Sequence, residues 1–291
     1  MTPPQAQVKA MPVLGRLAYF ITEREAVRVA RAAGRPAPWT ADPILRTYRF
    51  CNVRRADDRV SRWLLDNWYG PHKDHPNILA ACALARLFNQ PSTLNVIGLY
   101  VFKPTGRGAP WWDKIKHAVQ QLRGRGDRVF NAAYIVSTAG NKADKVEWVV
   151  DAYARPLFEA GIAINPASMR DTCEAIQTCY GYKGFMAGQV TADLRWAMSG
   201  TWADRHAWAP LGPGSTRGLR RLYTGSVDSN VPAPQLPKFF NRMLGEIKLL
   251  LPPAITKRLE AMDYQNCLCE FDKYERVLWG EGRPKQLYPG G

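Results

Sequence analysis

Apolar residues return every three or four positions along most of this chain, and the breaks in that rhythm fall at proline and glycine. In LGRLAYFITEREAVRVARAAG (14–34), Leu14, Leu17, Ala18, Ile21, Ala26 and Val29 keep helical spacing and Gly34 supplies the stop. A Pro-rich connector follows, in which Thr40 or Asp42 can cap the next helix. Pro91 and Ser92 open another helix, and Ser168 is placed to cap SMRDTCEAIQTCY. The 22 prolines are spread between such segments rather than gathered in one run, so they punctuate a compact fold. RVFNAAYIVST (128–138) has the composition of a short strand. The expectation is a mainly α protein, 1–291 as one helical domain, with lobes at about 14–130 and 131–288.

Charge narrows the function. Forty Lys and Arg against 25 Asp and Glu give +15, which favours a polyanionic partner, most simply nucleic acid. The six cysteines form no C-x-x-C pair and have no His-rich partner segment, so no metal site is expected and buried free thiols are. No secretory leader pattern and no long apolar run are present, which suggests a cytoplasmic protein without membrane contact.

The stretch CYGYKGFMAGQVTADLRW (179–196) places two glycines in a turn that feeds an apolar helix. Such a turn aims main-chain N–H groups at an anion. With the preceding helix it resembles a helix-hairpin-helix element, over about 169–196, in which Gly181, Lys183 and Gly184 would hold a DNA phosphate. Asp204 follows Gly181 by 23 residues and His206 lies two further on, similar to the acid of helix-hairpin-helix DNA glycosylases. Both are candidate catalytic residues, Asp204 as a base or as a stabiliser of a cation. Phe185 stands where lyase-type glycosylases carry a nucleophilic Lys, so Schiff-base chemistry is not expected there. The competing reading is an ordinary helix–helix turn with Asp204 as a helix cap.

Two further stretches stand out. LGPGSTRGLRRL (211–222) reads as a close-approach loop in which Ser215, Thr216, Arg217 and Arg220 are phosphate-type ligands. It is not a P-loop, because the G-K-[ST] ending is missing. RTYRFCNVRRADDRVSRWLLDNW (46–68) interleaves Asn52, Arg54, Arg55, Asp57 and Asp58 with aromatics; Trp63 is a candidate for stacking on an extruded base.

Together, RFCNVRRADDRVSRWL, LARLFNQPSTL, GPGSTRGL and CEFDKYER resemble the phage DNA base hypermodification proteins over roughly residues 14–288. That group includes the α-glutamyl/putrescinyl-thymine pyrophosphorylases, the amino acid:DNA transferases and the helical domain of the 5-hydroxymethyl-deoxyuridine DNA kinases. The resemblance implies a DNA glycosylase-like helical fold with two lobes. It implies double-stranded DNA with a modified thymine as substrate, and a reaction in which an amine or amino acid displaces phosphate from a flipped 5-phosphomethyl base. Arg217 and Arg220, helped by Arg54 or Arg55, would grip the phosphate, Asp204 would take the amine proton, and Asp57 or Asp58 would hold the ammonium. Two alternatives stay open: a kinase-associated DNA-binding domain with a partner kinase, and a modified-base glycosylase. No cofactor is required beyond the amine, with a monovalent cation possible at the hairpin.

Overall fold

The computed structural model describes residues 5–103, 111–131, 136–138 and 140–288. Much of the candidate strand 128–138 lies outside them. Among the described residues the fold is helical, with one isolated antiparallel bridge, Tyr48 to Leu287. The helices used below are α1 (Val13–Ala32), α2 (Pro43–Thr47), α3 (Arg59–Trp63), α4 (Ile78–Phe88), α5 (Pro91–Val101), α6 (Trp111–Gly124), α7 (Lys145–Trp148), α8 (Met169–Gln177), α9 (Gly184–Ala197), α10 (Pro213–Thr224), α11 (Leu236–Leu250) and α12 (Ala261–Leu278).

The chain forms two compact units. One is Met1–Asp58 with Arg205–Gly291; the other is Arg59–Asp204. The boundaries therefore differ from the expected division at 130/131. The chain leaves the first unit after the Arg-rich segment and returns to it just before α10, so sequence order does not follow unit membership.

In the second unit every residue of α4 is buried. Its Arg86 meets Asp193 of α9, and the Tyr69 hydroxyl donates to the same carboxylate at 2.6 Å. Helices α3 and α7 each run into a π-helical turn, Leu64–Tyr69 and Val149–Ala154, two residues before a proline, Pro71 and Pro156. Proline cannot donate to the fourth residue back and its ring crowds that carbonyl, so a widened turn relieves the clash.

The first unit is built around α12. Glu260 and Asp263 close a capping box at its start. Arg16 of α1 pairs with Glu275, its Nε 2.8 Å from Oε1. Asp42 caps α2 through Ile44 and Leu45, as its position suggests, and also accepts from the hydroxyls of Tyr19 and Tyr274. The aperiodic tail is pinned to the start of the Arg-rich segment: Arg49 N–H donates to Gln286 and Tyr288 N–H to Thr47.

Candidate functional site

Three of the motifs behind the resemblance meet on α12. Residues 50–55 run along it, held by main-chain donors: Cys51 N–H to Glu270 at 3.3 Å, and Arg55 N–H to Asp263 at 2.8 Å. Asn52 closes the segment on itself, its N–H donating to Asp58 and its amide to the Asp57 carbonyl. Arg54 is half exposed beside Asp57, which also pairs with Arg28 and Arg258. Burial raises the Asp58 carboxyl above its ordinary range, against the Asn52 N–H and the fields of Arg55 and Arg24. Lys273 sits on Glu270 at 2.5 Å; burial works against its charge, and the Glu270 carboxylate more than restores it. Burial pushes the Cys267 and Cys269 thiols up to about 12 and about 11, so neither is a ready nucleophile.

The expected anion loop at 211–218 is instead the first half of helix α10, with Gly212 at its N-cap and Pro213 in the first turn. Gly214 and Gly218 lie one turn apart against α12. A Cβ on Gly218 would stand 2.7 Å from the Leu268 carbonyl oxygen, and one on Gly214 would stand 3.2 Å from Cys269 Sγ. These glycines set a helix–helix distance. Ser215 is fully buried, donating to Gly212 and accepting from Gln265. Thr216 continues the helix through the Gly212 carbonyl. Arg217 and Arg221 share Asp272 at 3.1 and 2.9 Å, and Arg220 reaches the Val227 carbonyl. Packing and an α12 acid already engage Ser215 and Arg217, which corrects the phosphate grip assigned to those two; Thr216 and Arg220 are tied through the Gly212 and Val227 carbonyls.

A feature the motifs did not reveal lies on α1. Arg24, Arg28 and Arg31 stand at i, i+4 and i+7 and border an open pocket that also takes in Asn52 and Cys51. The spacing is visible in EREAVRVAR, but the burial of Arg24 is not.

In the second unit, α8 and α9 form the hairpin. Gly181 has φ +82°, and a Cβ there would come within 2.1 Å of the Tyr153 ring, so both backbone and space demand glycine. Gly184 is different: its Cβ would meet nothing nearer than Gln177 Oε1 at 3.7 Å. Tyr182 is fully buried beneath the turn. Outward stand Lys183, Tyr180 and Phe185, the last two 62% and 56% exposed. Lys183 is the N-cap of α9, and its side chain makes no cap hydrogen bond.

The start of α8 is the opposite case. Ser168 caps it at Asp171, and Asp204 accepts from Met169 N–H at 2.8 Å and Arg170 N–H at 3.0 Å. The loop before Asp204 is tied down, Trp202 N–H to Pro166 and Ala203 N–H to Ala167, which delivers the carboxylate to the helix. Asp204 is a helix cap in this structure, which corrects the picture of a carboxylate held ready for substrate. His206 is exposed, its Nε2 accepting from Arg205. Trp63 is half-buried at the end of α3, its carbonyl accepting from Asn67.

These arrangements belong to a mainly helical protein. The family described as the helical domain of 5-hmdU DNA kinase matches residues 11–283, and the chain belongs to it. A 5-hmdU DNA kinase of Bacillus phage SP10 is 29% identical over 229 residues, covering 70% of this chain and 36% of the relative. The chain thus spans about a third of that relative's length. No solved structure matches. Among the described residues no helix is long and apolar enough to cross a membrane.

Proposed function

We propose that this chain acts on double-stranded DNA carrying 5-phosphomethyl-uracil and replaces the phosphate with an amine, such as an amino acid. The observation that carries the DNA part is the contrast within the hairpin. Helix α8 has two side-chain caps, whereas the N-cap side chain of α9, Lys183, makes no cap bond and stands exposed with two aromatics beside the first turn. Such an end suits a DNA phosphate, with a cation at the hairpin carbonyls as an aid. Family membership supplies the base. The target nucleotide would be flipped and stacked, with Trp63 the candidate surface.

No G-x-x-x-x-G-K-[ST] stretch occurs in these 291 residues, which argues against a self-contained P-loop kinase within them. In the reaction the C–O bond to phosphate breaks, a C–N bond forms, the ammonium loses a proton and inorganic phosphate leaves. Asp58, whose proton affinity burial raises, is the best-placed acceptor for that proton, and His206 the second. Asp57 would steady the ammonium, and Arg54 and Arg55 would draw the leaving oxygen. Asp204 supports the hairpin through α8. The setting would be the host cytoplasm.

A second reading, a DNA-binding domain serving a partner kinase, is favoured by the kinase relative that extends well beyond this chain's match. Mass spectrometry of nucleosides from 5-phosphomethyl-deoxyuridine DNA, incubated with the protein and a mixture of amino acids and polyamines, separates the readings. A heavier nucleoside dependent on one amine is the expected result. Untouched substrate with tight, salt-dependent binding would favour the kinase partner. Release of free base would make the protein a glycosylase.

A further inference from the structure

The pocket on α1 holds more positive charge than its surroundings match. Arg24 is 5% exposed, and among the described residues its Nε and Nη1 have no nitrogen or oxygen partner; Nη2 is engaged by the Cys51 carbonyl, and the guanidinium faces the Cys267 thiol. Its guanidinium lies 4.7 Å from the centre of the Phe20 ring. Burying a cation with open donors is costly unless an anion completes it. Arg28 is already matched by Glu25 at 2.6 Å and by Asp57 at 3.4 Å, which Arg258 shares. Arg31 is exposed and pairs with no carboxylate among the described residues; it lies over the rings of Trp39 and Tyr288 at 5.3 and 5.5 Å. Asp58 divides its field between Arg55 and Arg24. What is left over is the charge of Arg31 at the edge of the pocket and part of that of Arg24 beneath it, whose counter-charge Asp58 is shared with Arg55.

The walls add a second requirement. Tyr48, Phe50 and Tyr288 line the same depression, which opens to solvent. Aromatic walls beside two arginines favour a planar ring carrying a compact anion. A phosphomonoester carries about −1.5 to −2 at neutral pH, against −1 for a carboxylate or a backbone phosphodiester. We infer that this pocket is a binding site for a phosphomonoester attached to a planar ring, of the nucleoside monophosphate class. The inference does not need the transferase reading: it rests on Arg24, Arg31 and the aromatic walls.

Isothermal titration of the full chain with four ligands tests it: thymidine 5′-monophosphate, thymidine, inorganic phosphate and the dinucleoside monophosphate TpT. The monophosphate should bind at least tenfold more tightly than any of the other three. Arg31→Gln, a change at an exposed position, should weaken that binding about tenfold with the unfolding midpoint unchanged; Arg24→Lys should do so more strongly if it folds. Equal affinity for the monophosphate and TpT, or full affinity in Arg31→Gln, would overturn the site. Inorganic phosphate binding as tightly as the nucleotide would overturn the ring requirement. The assay contains no duplex and no amine, so its failure is distinct from failure of the transferase reading.

Discussion

Helices α4 and α12 are the buried centres of the two units, and they are built in opposite ways. Helix α4 buries all of its residues, and its charge, Arg86, is answered by Asp193 and Tyr69. Helix α12 buries Asp263, Glu270, Asp272 and Glu275, which between them serve three elements: the 50–55 segment, α10 and α1. One centre is held by apolar packing around a closed ion pair. The other spends its acids on positioning arginines and main chain. Residues recruited that way can line a polar site, so chemistry is best sought in the first unit, and the second unit is the firmer platform for the hairpin.

The comparison breaks most sharply at Asp193. In Asp193→Ala, Arg86 is left buried without its counter-charge, a loss of roughly 3–5 kcal/mol. Urea unfolding read through the second unit should show it. A loss under 1 kcal/mol would mean that the pair is hydrated and that the two centres differ less than their burial suggests.

Glycines give the next largest contrast. Gly218→Ala places a methyl against the Leu268 carbonyl and should cost about 1–3 kcal/mol as α10 is pushed from α12. Gly184→Ala meets only an ordinary contact with Gln177 and should be neutral or stabilising by up to ~1 kcal/mol, since alanine is the better helix former. Thermal midpoints of the two variants should move in opposite directions. Equal shifts would deny α10 its close fit.

That pair also shows what the sequence made legible. Helices announced by spacing and caps appear where expected: Asp42, Ser168, Pro91 and Gly34 perform the local roles their types suggest. Local signals failed where the reason was distant. GPGSTRG reads as a loop because glycine and proline disfavour helix, yet Pro213 sits in the first turn and the glycine cost is offset by contact with α12, about 50 residues on. The 50–55 segment had no local explanation because its partner, Glu270, is 219 residues from Cys51. Residue type marks Arg217 and Arg220 as candidate ligands, but it cannot tell an arginine already engaged, like Arg217, from one buried with open donors, like Arg24.

Asp204 tests the hairpin side at smaller amplitude. Because it accepts from two N–H groups of a helix that Ser168 also caps, Asp204→Asn should cost about 1 kcal/mol or less in stability. Duplex affinity and turnover should stay within a few-fold. Loss of turnover in a fully stable variant would return Asp204 to the chemistry and make the capped end of the hairpin the reactive one.

The smallest effect on stability is expected at Asp58, and there its sign matters more than its size. Burial holds this carboxyl above its ordinary range, so the fold binds its proton more tightly than the unfolded chain does. The stability this proton confers is fully present below the unfolded carboxylate range and is lost as pH rises through the raised folded value. At neutral pH wild-type Asp58 is therefore a mild burden. Asp58→Asn should leave the first unit as stable as wild type or slightly more so at pH 7, and the advantage should vanish on acidification. Unfolding midpoints across pH 4–8 measure this. If Asp58 accepts the amine proton, the same variant loses transfer activity while gaining stability, a pairing that a purely structural carboxylate cannot produce. A variant less stable at pH 7 would show that the charged form is the one the fold prefers, and would pass the proton acceptor's role to His206.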